Sequence, residues 1–313
     1  NGINKPTVTS ELIRRKMNSL YGSLQLNWDG YLFLDVTARN DWSSTMSKAN
    51  RSYFYPSVSL SGVISDMLPK IGGSMPEWFT FAKVRASYAE VGNDLDPYQL
   101  YNNYTVGKDE NGNTTAAPGQ ILFDSSVRSE LIKSWEAGFD VRFIQNRLGL
   151  DFAWYKTNAT RQLLNLPLDP FAGYSSRKVN AGNIQNEGVE LTVGVTPVMT
   201  NDFRWKSSFN FSTNKNKVVK LHPDLKSFAY GDEGFSMMYM MRIKEGGSLG
   251  DLYGNAFERD EAGKIIFDEN NLPNVNTGNN VKVGNSNPDA LLGWSNTFTY
   301  KDFSLYFLVD CRF

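Results

Sequence analysis

Apolar side chains recur at every second position along most of this chain, and that period of two is the feature that most restricts its fold. In residues 19–28, for example, Leu20, Leu24 and Leu26 share one side of an extended chain, while hydroxyl, amide and phenol groups occupy the other. Side chains of a β-strand alternate between two faces, so this pattern predicts a strand. The same alternation recurs in residues 31–39, 58–64, 82–88, 135–143, 148–154, 189–195, 203–211, 292–300 and 303–309. The sequence therefore predicts an all-β chain of about ten strands.

The connections between these strands alternate in length. Short ones cover residues 29–30, 145–146, 199–202 and 301–302, with an intermediate one at 66–78, and long ones cover 40–52, 92–133, 158–186 and 214–288. Consecutive connections of an up-and-down antiparallel sheet lie at opposite ends of the sheet. We therefore expect all the long loops at one end and all the short turns at the other, which is the arrangement of an outer-membrane β-barrel.

The two faces of the predicted strands differ in charge. One face is apolar, and the other carries Lys83, Arg85, Glu136, Asp140, Arg142, Asp151, Glu190, Arg204 and Lys206. A water-filled lumen accepts such charges, whereas Arg or Lys on a lipid-facing surface costs roughly 2–4 kcal/mol at the bilayer midplane. Aromatic residues also gather at strand ends, as Trp28 and Trp135 do, where interfacial girdles lie. These features predict an antiparallel up-and-down transmembrane β-barrel. A soluble β-sandwich or propeller would account for any one of the strands taken alone.

Composition excludes several other classes of protein. The 313 residues include one histidine, His222, and one cysteine, Cys311. A disulfide framework, a cysteine-rich zinc site and histidine-based catalysis are therefore not expected. The 32 basic and 33 acidic residues balance, so nucleic acid is not an expected partner. We predict no catalytic residue, no metal site and no cofactor, and hence a protein that is not an enzyme.

Two acidic patterns have competing interpretations. Residues 109–113 and 268–271 superficially resemble calcium loops, but their ligand spacing is wrong and tight loop tips account for them better. Glu136 and Asp140 lie four apart on one strand face, like a hydrolase pair, but basic neighbours at Lys83 and Arg142 favour ion pairs in the lumen instead.

Several longer strings resemble one family. Residues 38–45 read Ala-Arg-Asn-Asp-Trp-Ser-Ser-Thr and are followed by Tyr-Phe-Tyr-Pro-Ser-Val-Ser-Leu at 53–60; residues 83–93 contain Lys-Val-Arg-Ala-Ser-Tyr and then Val-Gly-Asn. Further matches, in the family's order, lie at residues 134–140, 146–148, 182–191, 287–289, 296–298 and 300–305. Together they resemble the SusC/RagA branch of the TonB-dependent outer-membrane receptors, nutrient importers of Bacteroidetes-type bacteria.

The resemblance implies a part of a larger protein. Residues 1–313 would form part of a single barrel domain of roughly 22 strands, with the plug domain and the N-terminal extension absent from these residues. The whole receptor would lie in the outer membrane and import oligosaccharides or peptides. Its partners would be a SusD-like surface lipoprotein that acts as a lid, and TonB, which would act through the missing N-terminal part. A soluble all-β carbohydrate-binding or structural module and a passive porin-like barrel remain alternatives from the residues themselves.

Aromatic residues of the long loops are the candidates for ligand binding. An aromatic ring can stack on a sugar face or a peptide side chain without stripping water from every polar group of the ligand. The candidate substrate or lid contacts are Trp42, Tyr98, Tyr101, Tyr104, Phe171 and Tyr174. A role in the interfacial girdle or in loop packing is the alternative for each of them.

Overall fold

The computed structural model describes residues 10, 12–223, 225, 227–229 and 239–313. Its strands are β1 (Met17–Trp28), β2 (Leu32–Ser43), β3 (Ser52–Val63), β4 (Phe79–Asn93), β5 (Tyr104–Lys108), β6 (Thr114–Pro118), β7 (Ile121–Leu122), β8 (Glu130–Phe143) and β9 (Leu148–Pro167), then β10 (Ser176–Met199), β11 (Phe203–Lys220), β12 (Ser227–Ala229), β13 (Tyr239–Lys244), β14 (Asp251–Phe257), β15 (Val275–Asn285), β16 (Leu291–Tyr300) and β17 (Phe303–Arg312). A short helix, α1 (Ile64–Lys70), follows β3, and a 3-10 turn (Pro170–Ala172) follows β9.

Ten strands form the antiparallel wall of the main sheet in the order β1-β2-β3-β4-β8-β9-β10-β11-β16-β17, and the short strand β7 adds to it beside β10. The order of the ten strands across the wall is also their order along the chain, and each strand is antiparallel to the next. The wall is therefore an up-and-down meander. The predicted strand number and topology are confirmed. The short connections share one end, here named the turn end, and the long ones share the other, here named the loop end.

The register places the two predicted faces as expected. Leu191 lies opposite Phe152 on β9 and Phe211 on β11, and its neighbour Thr192 lies opposite Asp151 and Asn210. One face of the sheet, the outer face, is therefore apolar, and the inner face carries the charges. Many large apolar side chains of the outer face are exposed, among them Leu20, Leu24, Leu26, Val84 and Leu305. A continuous apolar surface of this kind requires a lipid environment or a partner.

Two of the predicted long loops begin much later than expected. β9 and β10 pair from the turn end out to Pro167 and Ser176, so the segment 158–186 is mostly a paired ribbon and its prediction as a loop was wrong. β11 likewise runs on to Lys220. Hydrogen bonding of the backbone continues beyond the lipid band, where the alternation of apolar and polar side chains stops being required.

A small hydrophobic core organises the loop end. Met46 from the β2–β3 loop, Leu95 and Val127 from the β4–β8 connection are buried together, and Leu163 of β9 packs against them. The long loops are therefore packed on one another and on the extended β9–β10 ribbon.

The connection from β11 to β16 contains a second sheet. Strands β12, β13, β14 and β15 pair in chain order. Val218 of β11 is buried with Leu221 and Ile243, and Leu249 packs against this group. This second core fixes the four-stranded sheet to the loop end of β11.

One polar pair interrupts the apolar outer face. Ser207 and Asn296 lie opposite each other on β11 and β16, in positions that the alternation assigns to lipid. The indole N–H of Trp205 donates to the Asn296 amide oxygen at 2.9 Å, and the Trp294 indole donates to the Ser207 hydroxyl at 2.9 Å. Asn296 is only 1% exposed, so the indoles cover the polar pair and satisfy part of its hydrogen bonding.

Aromatic side chains mark the turn end. The rings of Trp78, Phe79 and Phe143 pack on one another with centroid distances of 4.9–5.9 Å. Tyr88 and Trp135 form a second pair, 4.5 Å apart, on the same two strands toward the loop end. In the described part of the chain no helix is both long and apolar enough to cross a membrane.

Candidate functional site

The inner face carries a network of ion pairs. Arg85 of β4 donates from both terminal nitrogens to the Asp151 carboxylate, each at 3.1 Å, and its Nε lies 3.6 Å from Glu136. Arg142 pairs with Asp140 at 3.0 Å. Glu136 and Asp140 are therefore neutralised by arginines, which confirms their predicted role in lumen ion pairs. The contacts of Arg85 link three neighbouring strands, β4, β8 and β9.

Buried Asp94 joins β2 to β4 at the loop end. Its carboxylate, 3% exposed, accepts a hydrogen bond from Arg15 at 2.5 Å and one from the Thr45 hydroxyl at 2.9 Å. The Ser43 hydroxyl also donates to it. A buried carboxylate is stable only when it is paired and fully hydrogen-bonded, and these three donors supply that. Ser43 and Thr45 belong to the 38–45 string, so part of that string works as a clamp on the β4–β8 connection.

The rest of the same string holds a second acidic group. Arg39 donates to Asp41 at 2.8 Å, and the Tyr55 hydroxyl donates to the other oxygen of that carboxylate. Tyr55 stacks on Tyr53 with a centroid distance of 6.0 Å. The 53–60 string therefore packs its tyrosines over the charged residues of β2, which explains why both strings lie at the loop end of adjacent strands.

Three loop tips share one aspartate-based turn. The side chain of Asp109 accepts hydrogen bonds from the backbone amides of Asn111 and Asn113 at 2.9 and 2.8 Å. The side chains of Asp260 and Asp268 likewise each accept from the backbone amides two and four residues further along the chain. The Asn113 amide and these backbone donors hold the pKa of Asp109 below its ordinary value. Residues 109–113 and 268–271 thus form tight turns at loop tips.

Five of the six candidate aromatic residues lie on two neighbouring loops. Tyr98, Tyr101 and Tyr104 belong to the β4–β8 connection, and Phe171 and Tyr174 belong to the β9–β10 loop. Phe171 is fully exposed, Tyr174 is half-buried and the three tyrosines of the first loop are exposed. In the described residues no ring contact joins any two of the six. They form a scattered aromatic surface, and their role as ligand or lid contacts stays a prediction.

Trp42 lies apart from the other five. It is on the outer face near the end of β2, opposite Asn18 and Ser52. Lys16 and Arg51 lie with it around a cavity of about 400 Å³.

The two aromatic loops are tied together by polar contacts. Arg177 of β10 donates to Asp124 at 2.8 Å, and β7 pairs in parallel with the start of β10. The backbone amide of Ser126, its hydroxyl and Arg177 together lower the pKa of Asp124 to about 2. The ionised carboxylate therefore links the two loops through Arg177.

Asparagines line the inner face where β11 passes the end of β16. Asn186 of β10 accepts hydrogen bonds from the side-chain amides of Asn214 and Asn216 at 3.3 and 3.0 Å. The Asn216 oxygen in turn accepts from the Leu249 amide at 2.7 Å. A cavity of about 650 Å³ adjoins this cluster, and a second one of about 480 Å³ extends it along the inner face to Tyr155.

Asp251 holds together three residues that line the larger cavity, Ser248, Lys282 and Asn285. Burial alone would raise the pKa of Asp251, but Lys282 at 2.6 Å, the Ser248 amide at 2.9 Å and the Asn285 amide at 2.8 Å hold it below its ordinary value. The carboxylate thus fixes the loop that follows β13 against the end of β15.

Comparison with known families agrees with this architecture. Residues 1–277 match the family model described as TonB dependent receptor-like, beta-barrel. The chain belongs to this family. Its members are receptors and transporters, and membership places the ten-stranded sheet in the outer membrane, with the apolar outer face against lipid.

Individual relatives narrow the comparison. The chain is 28% identical to TonB-dependent receptor P3 of Formosa agariphila over 95% of its length and 25% identical to the TonB-dependent receptor SusC of Bacteroides thetaiotaomicron over 96%. It spans 32% and 31% of these two relatives. The solved structure of the RagAB peptide transporter superposes with a TM-score of 0.78 at 18% identity, over 95% of this chain and 33% of that one. The last match shows a shared fold.

Sequence reasoning missed two parts of the site. Asp94 directly follows the Val-Gly-Asn string, and its hydrogen bond from Ser43, which is 51 residues away in the sequence, is visible only in the folded structure. The asparagine cluster was also missed, although the polar residues Asn210, Ser212, Asn214 and Asn216 occupy every second position and could have indicated a polar stripe on the inner face.

Proposed function

We propose that the receptor to which this chain belongs imports oligosaccharides or peptides across the outer membrane, driven by TonB and assisted by a SusD-like surface lipoprotein. The observation that carries this is the division of the wall: an apolar outer face, a charged and asparagine-rich inner face, and every long loop at one end. Such a wall surrounds an aqueous path for a polar solute. Membership of the TonB-dependent receptor family supports an import that is driven by TonB.

We also propose that residues 1–313 form part of a single barrel domain, with the remaining wall strands and the plug supplied by other parts of the receptor. β1 and β17 are the two edges of the ten-stranded sheet. Unpaired edges of this length require partner strands, since a membrane offers the backbone no hydrogen bonds.

The five aromatic residues of the two loops would contact the ligand or the lipoprotein lid, and Trp42, at the end of β2, would do so from the rim of the wall. Phe171 has the strongest claim because it is fully exposed at the tip of the longest hairpin, where a lid would first meet the receptor.

Uptake in living cells tests the proposal. Cells that lack the gene are compared with complemented cells for uptake of labelled oligosaccharides and peptides, with and without a protonophore. The gene should be required for at least one class of solute, and the protonophore should abolish that uptake. Unchanged uptake of both classes in the deletion strain would refute the proposed function.

A matched pair of variants tests the loop aromatics. F171A should reduce uptake at limiting solute concentration or weaken retention of the lid, while F267A, which removes an exposed ring from the β14–β15 connection, should not. Equal effects of the two variants would remove the special role of Phe171.

A further inference from the structure

An open strand edge faces the larger cavity at the loop end. β11 pairs with β10 along its whole length, but β16 pairs with it only from Phe203 to Ser212. Further along, β11 regains a partner at Val218, whose amide donates to the Gly247 carbonyl and whose carbonyl accepts from the Gly246 amide, each at 2.8 Å. Between Ser212 and Val218 no strand lies on this side of β11 in the described part of the chain.

The direction of the free backbone groups follows from Val218. Backbone N–H and C=O groups of an antiparallel strand alternate between its two neighbours. The register with β10 is regular from Val195 to Ile184, so no bulge disturbs this alternation in β11 between Ser207 and Val218. Because Val218 directs both groups away from β10, Asn216 and Asn214 do so too. Their backbone groups point toward the 650 Å³ cavity, whose lining includes residues 213–217, 246–248, Asn285 and Asn287.

We propose that this edge binds an extended peptide, which adds to β11 as a further antiparallel strand in the gap above β16. This inference rests on the proposed function and selects peptides from its two substrate classes. The gap from Ser212 to Val218 is about 20 Å at roughly 3.3 Å per residue, which suits a segment of about four to six residues. Strand addition gives affinity through main-chain hydrogen bonds, which a peptide of any sequence without proline can form.

Two features favour a peptide over a sugar. The amide side chains of Asn214 and Asn216 are engaged within the protein, since both bond to Asn186 and Asn216 also accepts from Leu249, which leaves them less capacity for sugar hydroxyls. In addition, none of the described residues that line the larger cavity is aromatic, so a stacking surface for a sugar ring is missing there. What stays available is a row of backbone donors and acceptors with the repeat of a peptide strand.

The cavity also opens toward the lumen. The smaller, 480 Å³ cavity shares Thr213, Asn214 and Asn287 with the larger one and continues past Tyr155 and Glu190 on the inner face. A peptide at the edge would therefore lie beside the path through the barrel.

Binding to the purified full-length receptor in detergent provides the test. The probe is an end-blocked pentapeptide of alternating threonine and alanine, compared with the same peptide carrying N-methyl groups on every backbone amide. Methylation should weaken binding by about tenfold or more, since it removes the equivalent of one or two hydrogen bonds and blocks close approach. Equal affinity of the two peptides would overturn the inference, and this comparison needs no variant.

Two substitutions at one residue separate main chain from side chain. N214P removes the N–H that points into the cavity and should also weaken binding about tenfold, whereas N214A keeps that N–H and should stay within about twofold of the native receptor. The reverse order would overturn the inference. Heat-modifiable migration on gels confirms that each variant is folded, and if N214P does not fold, the methylated peptide decides alone.

Maltohexaose binding and cellular uptake separate the two proposals. A receptor that takes up oligosaccharides but does not bind the pentapeptide refutes the strand edge and leaves the proposed function standing. A receptor that takes up neither class refutes the proposed function as well. Occupation of the gap by another segment of the same receptor, seen as absence of peptide binding, also counts against the edge.

Discussion

Placing one arginine on either face of β10 tests the orientation of the wall. Leu191 on the outer face lies opposite Phe152, which lies opposite Phe139 on β8. Phe139 is four residues from the aromatic Trp135 and four from Phe143, so it lies about 9 Å from each along the membrane normal, for a strand rising roughly 3.3 Å per residue and tilted near 45°. Leu191 is therefore close to the midplane of the lipid band.

The expected cost follows from that depth. L191R places a cation in the middle of the hydrocarbon and should destabilise the folded barrel by about 2–4 kcal/mol. T192R is the matched control, because Thr192 is the next residue on the same strand and lies opposite Asp151 on the water-filled side. It loses the 3.0 Å hydrogen bond to Asn210 and should cost no more than about 1 kcal/mol.

Equilibrium unfolding of the full-length receptor in phospholipid vesicles measures both variants. Urea titration followed by tryptophan fluorescence, with the folded fraction read from unheated gels, gives the two free energies of unfolding. Equal destabilisation by L191R and T192R, or a larger effect of T192R, would refute the assignment of faces.

Three further outcomes are expected at the loop end and on the outer face. D94A leaves the donors Ser43 and Arg15 without their carboxylate and should lower the local stability of the β4–β8 connection by about 2–3 kcal/mol, measured as faster hydrogen exchange there; unchanged exchange would contradict the clamp. Because folding depresses the pKa of Asp124, its stabilisation of the β4–β8 connection is present above about pH 4 and is lost as the pH falls toward 2. Protease cleavage of this connection should therefore increase over that pH range in the native receptor and not in D124N. N296A, which removes the acceptor of an indole N–H, should destabilise the barrel by about 0.6–1.7 kcal/mol and red-shift or broaden tryptophan emission; an unchanged spectrum and stability would contradict that hydrogen bond.

The wall could be predicted from the sequence because lipid imposes a strict pattern on it. At Leu191 and Thr192 the two faces meet different solvents, so each residue type reports its side directly. The positions of the turns follow from the same pattern, since it breaks at short polar segments such as residues 145–146.

Features beyond the lipid band escaped prediction because no solvent boundary acts on them. The ribbon of residues 158–167 and 176–186 has polar side chains on both faces, and its strand pairing and the packing of Leu163 against distant loop residues extend it. Asn296 shows the same limit within the band. Asn296 can lie among apolar residues because the Trp205 indole donates a hydrogen bond to it. That contact depends on the register between β11 and β16, which a long connection separates in the sequence.

Site-directed spin labelling along β2 tests the central claim most directly. Labels are placed one at a time at residues 34–37 of the full-length receptor in phospholipid vesicles, with native Cys311 replaced by serine, and their accessibility to oxygen and to a water-soluble nickel reagent is measured. Positions 34 and 36 lie on the outer face and should favour oxygen, which concentrates in lipid, while 35 and 37 lie on the inner face and should favour nickel. Equal access of the nickel reagent to all four positions would contradict a membrane-spanning barrel wall.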